Sequence, residues 1–140
     1  MAIVQTMTTS FKAELFTGTH VFGTDTFKLA LYTANANLGA ATTVYSSTDE
    51  VPASGTYAAG GGTLSGVAVS SSGTTAWVTF SNISFTSATI TARGALIYNF
   101  SKGNKSVAVL DFGADKISSG GSFTVQFPVS DASSAIIRIA

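Results

Sequence analysis

Charged side chains are scarce in this sequence. Lys and Arg number seven, Asp and Glu also number seven, and the formal net charge of the 140 residues is zero. An ordinary soluble domain is roughly a quarter charged and usually keeps a net charge that discourages association. Because 45% of the residues are hydrophobic, much of the surface must consist of Ser, Thr, Gly, Ala and apolar side chains. Such a surface favours a protein that works packed against other copies or a larger partner.

Other absences exclude several classes of protein. The chain has no cysteine, which excludes disulfides and thiolate metal sites. Its basic residues are scattered, so the electrostatic footprint of a nucleic-acid-binding protein is missing. The apolar runs are too short to cross a bilayer, and residues 1–10 lack the basic and apolar regions of a secretory signal. We therefore expect no nucleic-acid partner, no membrane partner and no cleaved leader.

The length and the absence of repeats predict a single domain over residues 1–140. A short helix is predicted over residues 8–18, which begin with hydroxyl side chains suited to a cap and end with a glycine. Residues 1–10 form a candidate N-terminal arm. Residues 34–62 are rich in Ala, Asn, Thr and Gly and are predicted to form a long loop or arm.

From residue 27 onward the apolar residues recur with a period of two. Turn residues at 71–73 separate two such runs, which predicts a hairpin. The predicted strands cover residues 27–33, 63–70, 74–80, 83–85, 92–100, 107–112, 123–127 and 135–139, with a turn at Gly120 and Gly121. About eight strands without alternating helices predict a mainly β fold. We expect a single antiparallel β-sandwich, jelly-roll-like, with one short N-terminal helix.

Few residues carry catalytic or metal-binding chemistry. His20 is the only histidine, and a Ser-His-Asp arrangement built on it would make a small hydrolase, but no Gly-x-Ser-x-Gly motif occurs. Asp111 and Asp115 flank a strand end where calcium can bind, although turn capping explains them better. The glycine runs at 60–62 and 120–121 lack the Lys-Ser or Lys-Thr of a phosphate-binding loop. We expect no catalytic residue, no metal site and no cofactor.

Trp77 has two interpretations. If Ala76, Val78 and Phe80 face the core, then Trp77 points to the opposite face. An exposed indole there can anchor a protein interface or stack on a sugar ring. If the register is inverted, Trp77 belongs to the core. The sequence leaves both interpretations open.

Four segments carry a resemblance to known proteins. They are residues 10–15 (SFKAEL), 27–33 (FKLALYT), 50–66 (EVPASGTYAAGGGTLSG) and 94–99 (GALIYN). A short Ser-Phe-Lys-x-Glu-Leu helix ahead of a Phe-Lys-x-Ala-Leu-Tyr-Thr strand resembles small virion structural proteins of tailed bacteriophages. Within that group the chain is similar to capsid cement, or decoration, proteins. The resemblance implies a protein that lies across joints between capsomers, often as a dimer or trimer, and holds the shell against internal DNA pressure.

The scarce charge and the absent catalytic chemistry predict a non-enzymatic structural protein, and the resemblance implies a capsid cement protein on the outer surface of the virion, synthesised in the host cytoplasm. Its expected partners are the major capsid protein and further copies of itself, as a homodimer or homotrimer. Contacts are expected from residues 1–10, residues 34–62 and exposed strand edges. The predicted interface residues are Ile3, Val4, Asp49, Glu50, Tyr57 and Trp77. The alternatives are a tail, neck or fibre component that reads glycans through Trp77 or Tyr57, and the hydrolase that depends on His20.

Overall fold

The computed structural model describes residues 2–140 and shows a mainly β protein, as the sequence predicts. Two antiparallel sheets and one short helix near the N-terminus form a β-sandwich. The strands are β1 (Thr6–Met7), β2 (Phe27–Tyr32), β3 (Gly62–Thr63), β4 (Ala68–Ser72), β5 (Thr75–Thr79), β6 (Ile83–Asn99), β7 (Lys105–Val125) and β8 (Ile137–Ile139). The helices are α1 (Thr9–Leu15) and one 3-10 turn, Phe100–Lys102.

The two sheets share one large apolar core. One sheet has five strands in the order β1-β7-β6-β2-β3, and the other has three in the order β4-β5-β8. Leu29 and Ile97 from the first sheet are buried in the same cluster as Val78 and Ile137 from the second. Removing these apolar faces from water is the main driving force for packing the sheets together.

β6 and β7 form one long hairpin where the sequence predicts shorter strands. The predicted strands at 83–85 and 92–100 fall within the 17-residue β6 except for Phe100, and those at 107–112 and 123–127 fall largely within the 21-residue β7. The predicted turn at Gly120 and Gly121 is wrong. Gly120 has a φ of 66°, and the pairing register shifts beside it. Glycine at this position forms an irregularity that bends the strand without ending it.

Helix α1 begins near the predicted residue and ends earlier. The Thr8 hydroxyl accepts a hydrogen bond from the Phe11 N–H at 3.3 Å and caps the first turn. The helix ends at Leu15, and the left-handed Gly18 follows three residues later. Phe11 is fully buried in the core between the sheets. Because the helix is only two turns long, this docking is what stabilises it.

The second face of the five-stranded sheet is also covered. Ala30 and Tyr32 of β2 and Leu96 and Tyr98 of β6 point to this face and are buried. The covering residues come from the N-terminal segment and from the loop after β2, among them Ile3 and Ala36. β2 is therefore buried on both faces, although its alternation predicts burial on one.

The two predicted arms are folded back against their own sheet. β1 pairs with β7, and Ile3 forms a parallel bridge with Leu38. Residues 34–62 are largely irregular, as predicted, but Val51 and Tyr57 within them are buried. The described part of residues 1–10 and residues 34–62 therefore pack on their own sheet, and of the two alternatives for 34–62 the structure shows a loop. Met1, which belongs to the predicted N-terminal arm, lies outside the described residues.

Candidate functional site

A large groove lies between the N-terminal segment and the loop that follows β2. Its volume is about 750 Å³. Ala2 and Val4 line one side, and small residues from 36–43 line most of the remainder, together with Val44 and Asp49. We call this surface the N-terminal groove. It is formed by the two segments from which the sequence predicts contacts with a partner.

Backbone hydrogen bonds join the two sides of the N-terminal groove. The Val4 N–H donates to the Leu38 carbonyl at 2.9 Å, and the Leu38 N–H donates to the Ala2 carbonyl at 3.1 Å. The Gly39 N–H donates to the Thr42 hydroxyl at 3.0 Å, which closes a tight turn within the loop. The groove is therefore held by regular hydrogen bonding between segments far apart in sequence.

The lining of the N-terminal groove is almost without charge. Asp49 is the only charged residue among the described residues that line it. Val4 is 56% exposed and Val44 is 48% exposed, so apolar side chains are offered to the solvent. Most of the remaining lining residues are alanine, threonine and glycine, together with Tyr32, Asn37, Leu38 and Ser46. Such a lining suits apolar and hydroxyl contacts with another protein better than recognition of a phosphate or another strongly charged ligand.

Glu50 fixes the loop that carries this groove. Its Oε1 accepts a hydrogen bond from the Tyr45 hydroxyl at 2.5 Å. Its Oε2 accepts from the Tyr57 hydroxyl at 2.6 Å and from the Gly60 N–H at 2.8 Å. We call Glu50, Tyr45, Tyr57, Gly60 and Tyr98 the Glu50 cluster. One carboxylate thus holds three points of the loop, because a charged acceptor binds such donors strongly.

Tyr98 and Tyr57 connect the Glu50 cluster to the five-stranded sheet. Tyr98, on β6, donates to the Gly60 carbonyl at 2.5 Å and stacks on Tyr45 with ring centroids 4.8 Å apart. The Tyr57 hydroxyl also accepts from the Leu31 N–H of β2 at 2.8 Å. The loop is therefore tied to two central strands.

Burial perturbs the acidity of these phenols. Burial and the nearby Glu50 carboxylate raise the pKa of Tyr98 to about 12. Burial, followed by the hydrogen bond to Glu50, also raises the pKa of Tyr57 well above its usual range. The hydroxyls therefore remain protonated donors at neutral pH, and their role here is structural.

The structure places the predicted interface residues in different environments. Val4 and Asp49 are exposed and line the N-terminal groove. Ile3 and Tyr57 are buried, with 7% and 1% of their surface exposed. Glu50 is partly buried and bonded within its own chain. Burial corrects the expectation that Ile3 and Tyr57 present their side chains to a partner.

Trp77 is buried as well. Trp77 pairs with Arg138 of β8, and its neighbour Val78 is buried in the core, whereas Ala76 is exposed. Its indole N–H donates to the Ser130 hydroxyl at 3.0 Å, and only 9% of the residue is exposed. The hydrogen-bond acceptor of the indole, Ser130, thus lies in the segment between β7 and β8. An indole in this environment offers no open platform for a sugar ring.

His20 belongs to a polar network inside the chain. Its Nε2 lies 2.8 Å from Glu14 Oε1, and its Nδ1 lies 3.0 Å from the Asn99 amide nitrogen. The same amide nitrogen donates to Asp25 at 2.8 Å. The imidazole is therefore hydrogen-bonded through both of its ring nitrogens, to Glu14 on one side and to Asn99 on the other. Within residues 2–140, no serine hydroxyl is hydrogen-bonded to His20, so the geometry of a hydrolase triad is missing there.

Asp25 is the acidic end of the same network. Lys102 Nζ donates to its two oxygens at 2.8 and 2.9 Å. Burial by itself raises the pKa of the Asp25 carboxyl, but the hydrogen bonds from Lys102 and Asn99 outweigh burial and lower the pKa to about 2. The network links the turn after α1 to the end of β6 and has a structural function.

The calcium candidates do not come together. Asp111 accepts from Arg93 Nε at 3.1 Å and from the Gly113 N–H at 2.9 Å, whereas Asp115 is exposed. No group of three or more potential metal-ligating side chains occurs within residues 2–140. Within the same residues, no helix is long and apolar enough to cross a membrane.

No family model, no curated protein and no solved structure matches this chain. The functional conclusion therefore depends on the residues, on their geometry and on the resemblance described above.

Sequence reasoning missed the role of Glu50 as the centre of a tyrosine cluster and the role of Asn99 beside His20. Asp49 and Glu50 look alike in the sequence, as an acidic pair in a polar loop. All four tyrosines of the chain lie near Glu50 in space, and spacing along the chain does not reveal this convergence.

Proposed function

We propose that this chain is a non-enzymatic structural protein of a tailed-phage virion, and specifically a capsid cement protein that binds the outer surface of the shell. The observation that carries the proposal is the N-terminal groove, a concave surface with exposed apolar side chains and, among the described residues, a single charged one, Asp49. The resemblance in residues 10–15, 27–33, 50–66 and 94–99 supports the phage assignment.

The chemistry of the groove supports attachment to another protein. Val4 and Val44 are exposed beside threonine hydroxyls, and Asp49 adds a single charge. Removing water from such a surface costs little, because few charged groups must be desolvated. The N-terminal groove fits a partner protein that presents an apolar, weakly charged ridge.

The rigidity of the loop supports binding without a large ordering cost. The Glu50 cluster and the bonds between Val4 and Leu38 fix the groove before any partner arrives. A preformed surface loses less conformational entropy on binding than a mobile arm does. Folding these segments onto the sheet therefore improves them as an attachment surface.

Many copies of the chain bound to one shell can be held stably even if each single contact with the shell is weak. A capsid presents many equivalent sites, and a cement protein with more than one contact gains affinity through effective concentration. Apolar and hydroxyl contacts of modest strength are then sufficient for stable attachment.

The proposal is tested by adding the purified chain to capsids that lack it and measuring co-sedimentation. We expect Val44→Asp to reduce binding at least tenfold, because it replaces an exposed apolar contact with a second negative charge beside Asp49's in the groove lining. Val129→Asp is the matched control, since Val129 is 70% exposed and does not line the groove. Detection of the chain only in tails, or equal binding by the two variants, would refute the proposal.

A further inference from the structure

The outer edge of β4 is unpaired in the described chain. β4 lies at the end of the three-stranded sheet and pairs only with β5. All five of its residues are exposed. Within residues 2–140, no other segment forms a backbone hydrogen bond to this edge.

The hairpin geometry shows which backbone groups point outward. Ser72 and Thr75 close a two-residue turn, and Gly73 has the positive φ of 59° that such a turn needs. The closing pair is hydrogen-bonded, and hydrogen-bonded and non-bonded pairs alternate along an antiparallel ladder. Ser70 and Ser72 therefore bond to β5, whereas the N–H and C=O groups of Val69 and Ser71 point away from the sheet.

The other long edges of this protein carry features that prevent pairing. Beyond Asp111, β7 has no neighbour on its outer side in the described chain, but that edge contains Asp115, Lys116 and irregularities at Gly113 and Gly120. β8 carries the exposed Arg138. Charges and bulges of this kind block pairing between edges.

β4 has none of these features. Its sequence, AVSSS, contains no charge and no proline, and its register with β5 is regular. β4 is therefore the edge of this protein that is best suited to pairing with a strand of another chain.

We propose that β4 is a homodimer interface, in which two copies pair antiparallel about a two-fold axis through Ser70. In this register Val69 lies opposite the partner's Ser71, so their outward N–H and C=O groups form four reciprocal hydrogen bonds. The two sheets then join into one sheet of six strands. This inference does not depend on the proposed attachment to a capsid.

The side chains are compatible with a second copy of the chain. Ser70 lies opposite the partner's Ser70, so no like charges meet at the axis. Val69, which is 62% exposed, lies on the same face as Ile139 and Leu15 in an apolar groove of about 180 Å³. A two-fold axis perpendicular to the sheet places the grooves of both copies on the same face of the joined sheet.

The interface is small. Five residues in each copy form it, whereas a standard interface has roughly 20–30 on each side. We therefore expect a concentration-dependent dimer in dilute solution and a more fully paired one wherever copies are held close together.

The test combines sedimentation analysis with amide hydrogen exchange. The native chain should shift from monomer to dimer as its concentration rises, and the Val69 and Ser71 amides should become protected with the same dependence. The Ser70 amide should be protected at every concentration, because it bonds to β5. A chain that stays monomeric at all concentrations, or a dimer in which the Val69 and Ser71 amides exchange freely, would overturn the proposal.

Charge reversal at the axis tests the register. Ser70→Lys and Ser70→Asp should each weaken dimerisation at least tenfold, because like charges then face each other. An equimolar mixture of the two should form heterodimers at least as tightly as the native chain. Ser119→Lys, on the exposed edge of β7, is the matched control and should dimerise normally. Native dimerisation by either single variant, or a mixture that stays monomeric, contradicts the two-fold pairing.

Discussion

Loss of the Glu50 carboxylate is the perturbation for which the structure gives the clearest expected magnitude. Glu50→Ala removes the acceptor of three hydrogen bonds from Tyr45, Tyr57 and Gly60. The change leaves the groove residues themselves intact. The loss in the free energy of unfolding therefore measures how much of the stability of the protein depends on the attachment of the loop to the sheet.

The expected loss follows from the donors that remain. The Tyr57 hydroxyl is buried and the Gly60 N–H is partly buried, so neither finds water easily. A buried donor left without an acceptor costs about 1–3 kcal/mol. Tyr45 is only partly buried, so its hydroxyl can turn to solvent. We expect Glu50→Ala to lower the free energy of unfolding by roughly 2–5 kcal/mol.

Urea unfolding and thermal unfolding measure this loss. For a chain of this length, such a change lowers the Tm by roughly 10 °C. Glu50→Gln, which keeps one acceptor oxygen, should lose less. Asp49→Asn is the matched control, because it removes the neighbouring carboxylate, which is exposed, and asparagine tolerates the left-handed φ of 61° at this position.

Comparing the two variants shows whether Glu50 stabilises the fold more than the exposed carboxylate of Asp49 does. Asp49→Asn should change the free energy of unfolding by less than about 0.5 kcal/mol. A similarly small effect of Glu50→Ala would refute the conclusion that Glu50 holds the loop.

Two further predictions concern pH. Because folding raises the pKa of Tyr98 from 10.0 to about 12, its contribution to stability is complete below pH 10 and is lost as the pH rises toward 12. Tyr98→Phe should reduce this alkaline loss, measured as the urea midpoint against pH, and an unchanged slope would contradict the assignment. Because folding lowers the pKa of Asp25 from 3.8 to about 2, its contribution is complete above pH 3.8 and is lost as the pH falls toward 2. Asp25→Asn should flatten the acid limb of the same curve, whereas Asp115→Asn, a change at an exposed carboxylate, should leave it unaltered.

The strand pattern predicts much of the fold. The alternation of Phe27, Leu29 and Leu31 identifies β2, and the hairpin of β4 and β5 lies close to the predicted turn. These features depend on residues that are close in sequence, and a period of two in the apolar residues indicates a strand directly. The helix is predicted for the same reason, because its cap and its apolar residues are local.

The lengths of β6 and β7 were not predictable from local signals. Glycine at 120 is typical of a turn and of a bulge alike, and only pairing with a second strand decides between them. The burial of Trp77 is similar, since it depends on a segment more than 50 positions away.

The sequence by itself determined the fold class and the scarcity of charge, and it marked residues 34–62 as a long loop. The tertiary structure alone decided that the N-terminal segment and this loop fold onto the sheet, that Glu50 and three tyrosines hold the loop there, and that β4 is left as an unprotected edge. The physical reason is range. Periodicity and composition reflect interactions between near neighbours, whereas the hydrogen bonds of the Glu50 carboxylate and an unpaired strand edge depend on which distant segments meet.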